Sequence, residues 1–88
     1  MTGIKRLVLD VLIPINLPTP NLTKRIALIK GVEAVDVLIQ EVERKVETAK
    51  ITIEGEDLDF EKIGELIEST GSSLQSIDRV TCGKRLTG

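Results

Sequence analysis

Two helix-period apolar stripes, each closed by a glycine and each set between strands of period two, write a βαβ unit twice within 88 residues. Few architectures accept that order. Residues 6–15, RLVLDVLIPI, alternate Leu7, Leu9, Val11 and Ile13 on one face with Val8, Asp10 and Leu12 on the other, as a strand covered on one side does. A stiff loop with Pro14, Pro18 and Pro20 follows, and Thr19 before Pro20 predicts an N-cap and first helical position. Leu22, Ile26 and Ile29 form the stripe of a helix running to Lys30, ended by Gly31.

Val35, Val37 and Ile39 then alternate with Asp36, Leu38 and Gln40, and Ala49, Ile51 and Ile53 alternate with Lys50, Thr52 and Glu54. If both apolar triplets face the same helices, Val37 lies opposite Ile51 and a short odd loop falls around Glu43, Arg44 and Lys45. Asp59 is placed to cap a second helix, Leu58 and Ile63 to staple its first turn, and Phe60, Ile63, Leu66 and Ile67 to form its buried stripe. Gly71 ends it. Residues 73–86 read as a last strand in which Ile77 and Val80 break strict alternation, so a bulge is expected there.

The order βαββαβ with right-handed crossovers gives an α+β, ferredoxin-like single domain over residues 1–88: a four-stranded antiparallel sheet with the first and third strands central and both helices on one face. The other face stays open, carrying Val8, Asp10, Leu12, Asp36, Leu38, Gln40, Lys50, Thr52 and Glu54. Function on such a fold resides in the open face, the loops or the edges.

Composition narrows the choices. A chain this short buries a small share of its surface, so a partner is a natural source of added stability. Cys82 is the only cysteine, which rules out a disulfide within the chain, is consistent with a reducing cytoplasm, and reads as a small buried apolar residue. No apolar run approaches the ~20 residues that cross a bilayer, and the N-terminal residues lack a signal-peptide pattern. A net charge of −2 with an isoelectric point near 5.1 argues against a nucleic-acid footprint. Charged residues dominated by Glu, Lys and Arg, with abundant Ile and Val, lean toward a thermophile.

Three groups of residues stand out. Asp10, Asp36 and Glu54 share the open face, and an oxygen-only set would take magnesium or calcium rather than zinc or copper. The plainer reading is a solvated or interface face on which Lys50 balances the acids. Antiparallel pairing of the first and last strands collects Lys5, Arg6, Lys84 and Arg85 at one corner, fit for an anion or a subunit contact. Glu61, Glu65 and Glu68 line one side of the second helix, so unlike patches are available for a head-to-tail contact that makes a ring if its rotation closes. Val8, Leu12 and Leu38 are apolar residues expected on a face without helices, which calls for a homo-oligomer interface.

Several uses of this architecture need residues the chain lacks. Soft-metal delivery needs a CxxC loop where this chain has NLPTP, RNA recognition needs sheet aromatics where the sole aromatic, Phe60, is helical, and no glycine-rich phosphate loop follows the first strand. With no histidine or tyrosine, enzyme is the disfavoured class. The reading is an oligomeric binding or scaffold protein; the alternative is a regulatory module holding a small molecule at a subunit interface.

The strings RLVLDVL from Arg6, KITIEGEDLDFEKI from Lys50 and SIDRVTCGKR from Ser76 resemble the archaeal domain of unknown function 211 family, in matching order along nearly the whole chain. The resemblance implies a self-assembling ferredoxin-like domain of archaeal origin without an established activity. Asp10, Glu54, Asp78, Lys84 and Arg85 stand in those strings and are the preferred binding positions.

Overall fold

A computed structural model describes residues 3–87, with β1 (Ile4–Pro14), α1 (Thr19–Ala27), β2 (Val32–Val42), β3 (Val46–Gly55), α2 (Phe60–Ser69) and β4 (Ser73–Cys82). The strand order is β2-β3-β1-β4, every neighbour antiparallel, so β1 and β3 are central as the doubled βαβ pattern requires. The fold is the expected α+β, ferredoxin-like one.

Alternation decides which side of the sheet is covered. Leu7 and Leu9 pair with Ile53 and Ile51 across β1 and β3, and together with Val11 and Ile13 they are buried beneath Leu22 and Ile26 of α1 and Ile63 and Ile67 of α2. Each such aliphatic side chain contributes about 2 kcal/mol by leaving water. Val37 pairs with Ile51 and residues 43–45 form the hairpin loop, as the pattern predicts.

The second helix begins as expected: the Asp59 carboxylate accepts from the Lys62 N–H at 3.1 Å, and Leu58 and Ile63 are buried in the same core. The first differs by one residue. Extended Pro18 occupies the N-cap, its carbonyl already accepting from Asn21, so Thr19 lies inside the first turn rather than capping it. That helix stops at Ala27, and the next residues tighten into a turn through Leu28 N–H to Arg25 O and Ile29 N–H to Ile26 O before Gly31 reverses the chain at φ +92°.

β4 holds two irregularities rather than one. Val8 and Leu9 pair with Arg79 and Ile77, while Asp10 and Val11 pair with Ser76 and Leu74, so Asp78 and Gln75 are extra residues in the edge strand. The bulges preserve alternation around themselves, keeping Leu74, Ile77 and Val80 on the helix side opposite Val11, Leu9 and Leu7. Cys82 departs from expectation: it pairs with Ile4 at the strand end and is exposed, whereas its neighbour Thr81 is buried. A break in register on the β1 side between Ile4 and Arg6 accompanies this change of side.

Candidate functional site

The helix-free face is organised in rows set by strand register. Asp36, Thr52, Val8 and Arg79 form one row, and Leu38, Lys50, Asp10 and Ser76 the next. Toward one end lie Ala34, Glu54, Arg6 and Thr81; toward the other, Thr48, Leu12 and Ser73.

Lys50 is the hub. Its ammonium donates to the Asp78 carboxylate and lies 3.7 Å from Asp10 Oδ1, while Ser76 Oγ donates to the other Asp78 oxygen at 2.8 Å. The extra residue in β4 is what brings Asp78 onto this face beside Lys50. Asp10 Oδ1 is buried yet has no hydrogen-bond donor. The Lys50 ammonium at 3.7 Å offsets part of the desolvation that an acceptor without a hydrogen bond costs.

The hydrogen bond from Lys50, then that from Ser76, holds the Asp78 carboxyl below its ordinary range. The same bond to Asp78 raises Lys50 above its ordinary range, against partial desolvation and with help from the Asp78 and Asp10 charges. A depressed carboxyl pKa makes the acid's contribution complete above the unfolded value of about 3.9, to be lost as pH falls through the folded one. A raised amine makes its contribution complete below about 10.4, to be lost as pH climbs through the folded value. The pair therefore stabilises evenly across neutral pH. Thermal melts of Asp78→Asn should show a smaller drop in Tm between about pH 5 and pH 2 than the parent; identical acid limbs would contradict the pairing.

The three carboxylates read as a metal set are not brought together. Asp10 faces Lys50, Glu54 accepts from Arg6 Nε at 3.0 Å, and Asp36 lies exposed opposite Thr52. Among the described residues no group of three or more His, Cys, Asp or Glu is placed to hold a metal ion. The physical reason is local: an ammonium already stands between Asp10 and Asp78, and a guanidinium takes Glu54.

The basic corner assembles only in part. Lys5 and Lys84 border a small cleft of about 170 Å³, and Arg6 lies beside it, but Glu33, Glu54 and Glu56 line the same cleft. Lys5 pairs with Glu56 at 2.6 Å, and Arg6 also donates to the Thr87 carbonyl. Arg85 is exposed and does not line that cleft. A corner with as many carboxylates as cations is a weak anion trap.

The apolar set does lie on the open face. Val8 sits between Thr52 and Arg79 and Leu12 between Thr48 and Ser73, both half-buried by strand neighbours. Leu38, beside Lys50, is 58% exposed. These side chains flank the Lys50 network rather than forming one continuous patch.

The model of the family known as domain of unknown function 211, described as "Uncharacterized ArCR", matches residues 5–88. The chain belongs to this archaeal family. It is also 37% identical over 86 residues to the uncharacterized protein MJ0319 of Methanocaldococcus jannaschii, covering 98% of this chain and 89% of that protein. The match to domain of unknown function 211 thus takes in both helices, β2, β3, β4 and all but the first residue of β1. No helix among the described residues is long and apolar enough to cross a membrane.

Sequence reasoning placed Lys50 on the open face as a balancing charge but missed its chief partner. The signal was present in Ile77 and Val80, whose spacing required an inserted residue between two helix-facing positions; Asp78 is that residue.

Proposed function

We propose that this chain is a self-assembling binding or scaffold protein whose copies meet across the helix-free sheet face and its edges. The observation that carries the reading is the presence of Val8, Leu12 and Leu38 on a sheet face that no helix covers. Apolar side chains left on an uncovered sheet are stabilised when a second surface removes them from water.

Size bears on the geometry. Four strands about 4.8 Å apart, each rising about 3.3 Å per residue, make a face of roughly 600 Å². A stable interface buries about 800 Å² per partner, so the face alone falls short and the edges must contribute. β2 and β4 are edge strands of 11 and 10 residues with one side of each backbone unpaired, and such edges accept added strands. The lone free cysteine is consistent with a reducing cytoplasm.

Sedimentation equilibrium across protein and salt concentration tests the reading. The expected mass is a multiple of the 9.6 kDa chain, persisting in high salt because apolar contacts are not screened. A species of 9.6 kDa at every micromolar concentration would contradict it.

A further inference from the structure

The helix layer carries two surfaces of opposite charge, one on each flank of α2. On the flank toward β4, Glu61, Glu65 and Glu68 recur at spacings of four and three and so line up along one side. They rim a groove of about 610 Å³ with Phe60 and Leu74 in its lining. Gly64 keeps it open: a side-chain carbon added there would touch nothing within 4 Å. Ile77 and Val80, exposed on the helix side of β4, continue the apolar surface past Leu74.

On the flank toward α1, Lys62 and Leu66 meet the end of the first helix, where Arg25, Ile29 and Lys30 surround Leu28. Leu28 is 85% exposed, more than any other large apolar side chain among the described residues. Arg25, Lys30 and Lys62 border the same cleft as this knob, and Lys30 and Lys62 also border a neighbouring cleft lined by Glu56, Asp57 and Asp59. Within the described chain, Arg25, Lys30, Lys62, Glu61 and Glu65 take part in no ion pair, so both rims are free to meet a partner.

We propose a second contact between copies, in which the Leu28 knob with Arg25 and Lys62 seats in the acidic groove between α2 and β4 of the next copy. It extends the self-assembly reading and uses none of the sheet-face residues. Charge complementarity selects the occupant. A two-fold pairing of either flank would set carboxylate on carboxylate or cation on cation, whereas a head-to-tail contact sets Arg25 and Lys62 against Glu61 and Glu65. The leucine fills the groove and the charges at its rim fix the register. Repetition of the contact closes a ring when the rotation per step divides a full turn. The cationic side of this contact is the end of α1 rather than the corner of Lys5, Arg6, Lys84 and Arg85, and Arg25, which borders none of the clefts that hold carboxylates, carries most of its charge match.

A charge-swap series read by sedimentation velocity on the full chain tests this contact. Arg25→Glu and Glu65→Arg, each exposed and unpaired within the chain, should each weaken association about tenfold and reduce the mass to a smaller assembly held by the sheet face. Arg25→Glu combined with Glu65→Arg in one chain rebuilds an opposite-charge pair between copies and should return the affinity to within about threefold of the parent. Leu28→Ser should weaken association and should not be rescued by either charge change. If both single charge variants keep the parent mass, or the combined variant is as weak as the two effects multiplied, the head-to-tail contact is overturned and the groove belongs to another occupant. Sheet-face variants separate the two ideas: dissociation by Val8→Glu with Leu38→Glu alongside unaffected charge variants rejects the helix-layer contact and leaves the sheet-face reading standing.

Discussion

Alanine in place of Gly55 is expected to destabilise the fold by about 3 kcal/mol, the upper end for forcing atoms into a packed interior. At this position β3 leaves the sheet directly against the turn that follows α1. An added Cβ would lie 1.9 Å from the Gly31 carbonyl oxygen and 2.9 Å from its carbon, both backbone atoms. The neighbour cannot swing aside as a side chain would. Gly31 itself sits at φ +92°, and its carbonyl accepts from the Glu56 N–H at 2.9 Å, so relief would break the junction between β2 and β3. Against a total stability of about 5–15 kcal/mol for a small domain, the loss is large. Urea unfolding at concentrations too low for copies to associate measures it, with Gly64→Ala as a control of opposite sign: that site lies inside α2 with open space around it, and alanine there should stabilise the single chain by about 0.5–1 kcal/mol. A Gly55→Ala midpoint equal to the parent's would contradict the close approach.

The second large effect falls on assembly. Val8→Glu combined with Leu38→Glu should raise the dissociation constant at least 100-fold, on the order of 2.7 kcal/mol, and leave 9.6 kDa monomers at micromolar concentration if the helix layer does not hold copies together by itself. The carboxylate at position 8 has Arg79 beside it and the one at position 38 stands well exposed to water, so the monomer tolerates them. An interface does not, because covering a charge removes its water. Circular dichroism melts should therefore show a folded variant while sedimentation shows a lower mass. An unchanged mass with a retained fold would place the subunit contact elsewhere.

Much of this architecture is legible because it rests on local periodicity. The alternation of Leu7 to Ile13, the stripe of Ile63 and Ile67, and the Asp59 cap each depend on residues a few positions apart, and each is realised. Even the pairing of Val37 with Ile51 follows from the requirement that both strands bury one face under the helices. The site is less legible because it depends on where distant strands align. The spacing of Ile77 and Val80 marks a bulge at Asp78, but no local pattern tells which residue of a distant strand it will meet, and that pairing sets the partner of Lys50. The carboxylates Asp10, Asp36 and Glu54 share a face in every register that keeps the apolar triplets under the helices, and only the actual rows show a cation assigned to Asp10 and another to Glu54. The corner of Lys5, Arg6, Lys84 and Arg85 is also reached by Glu33 near the start of β2 and by Glu56 just past the end of β3, an approach that no local pattern displays. The family resemblance supplied Asp78 as a position of interest, and the structure gives that position its role beside Lys50.

The central claim is that copies of the chain cover the helix-free face, and methyl relaxation by a soluble gadolinium chelate reads that cover directly. In a single chain Leu38 and Ile15 are both well exposed, at 58% and 46%. At concentrations where the protein assembles, the Leu38 and Val8 methyls should be shielded while those of Ile15, in the loop after β1 and outside both proposed contacts, relax fully. Relaxation of Leu38 as strong as that of Ile15 would mean that the face stays open to water, and would contradict the account.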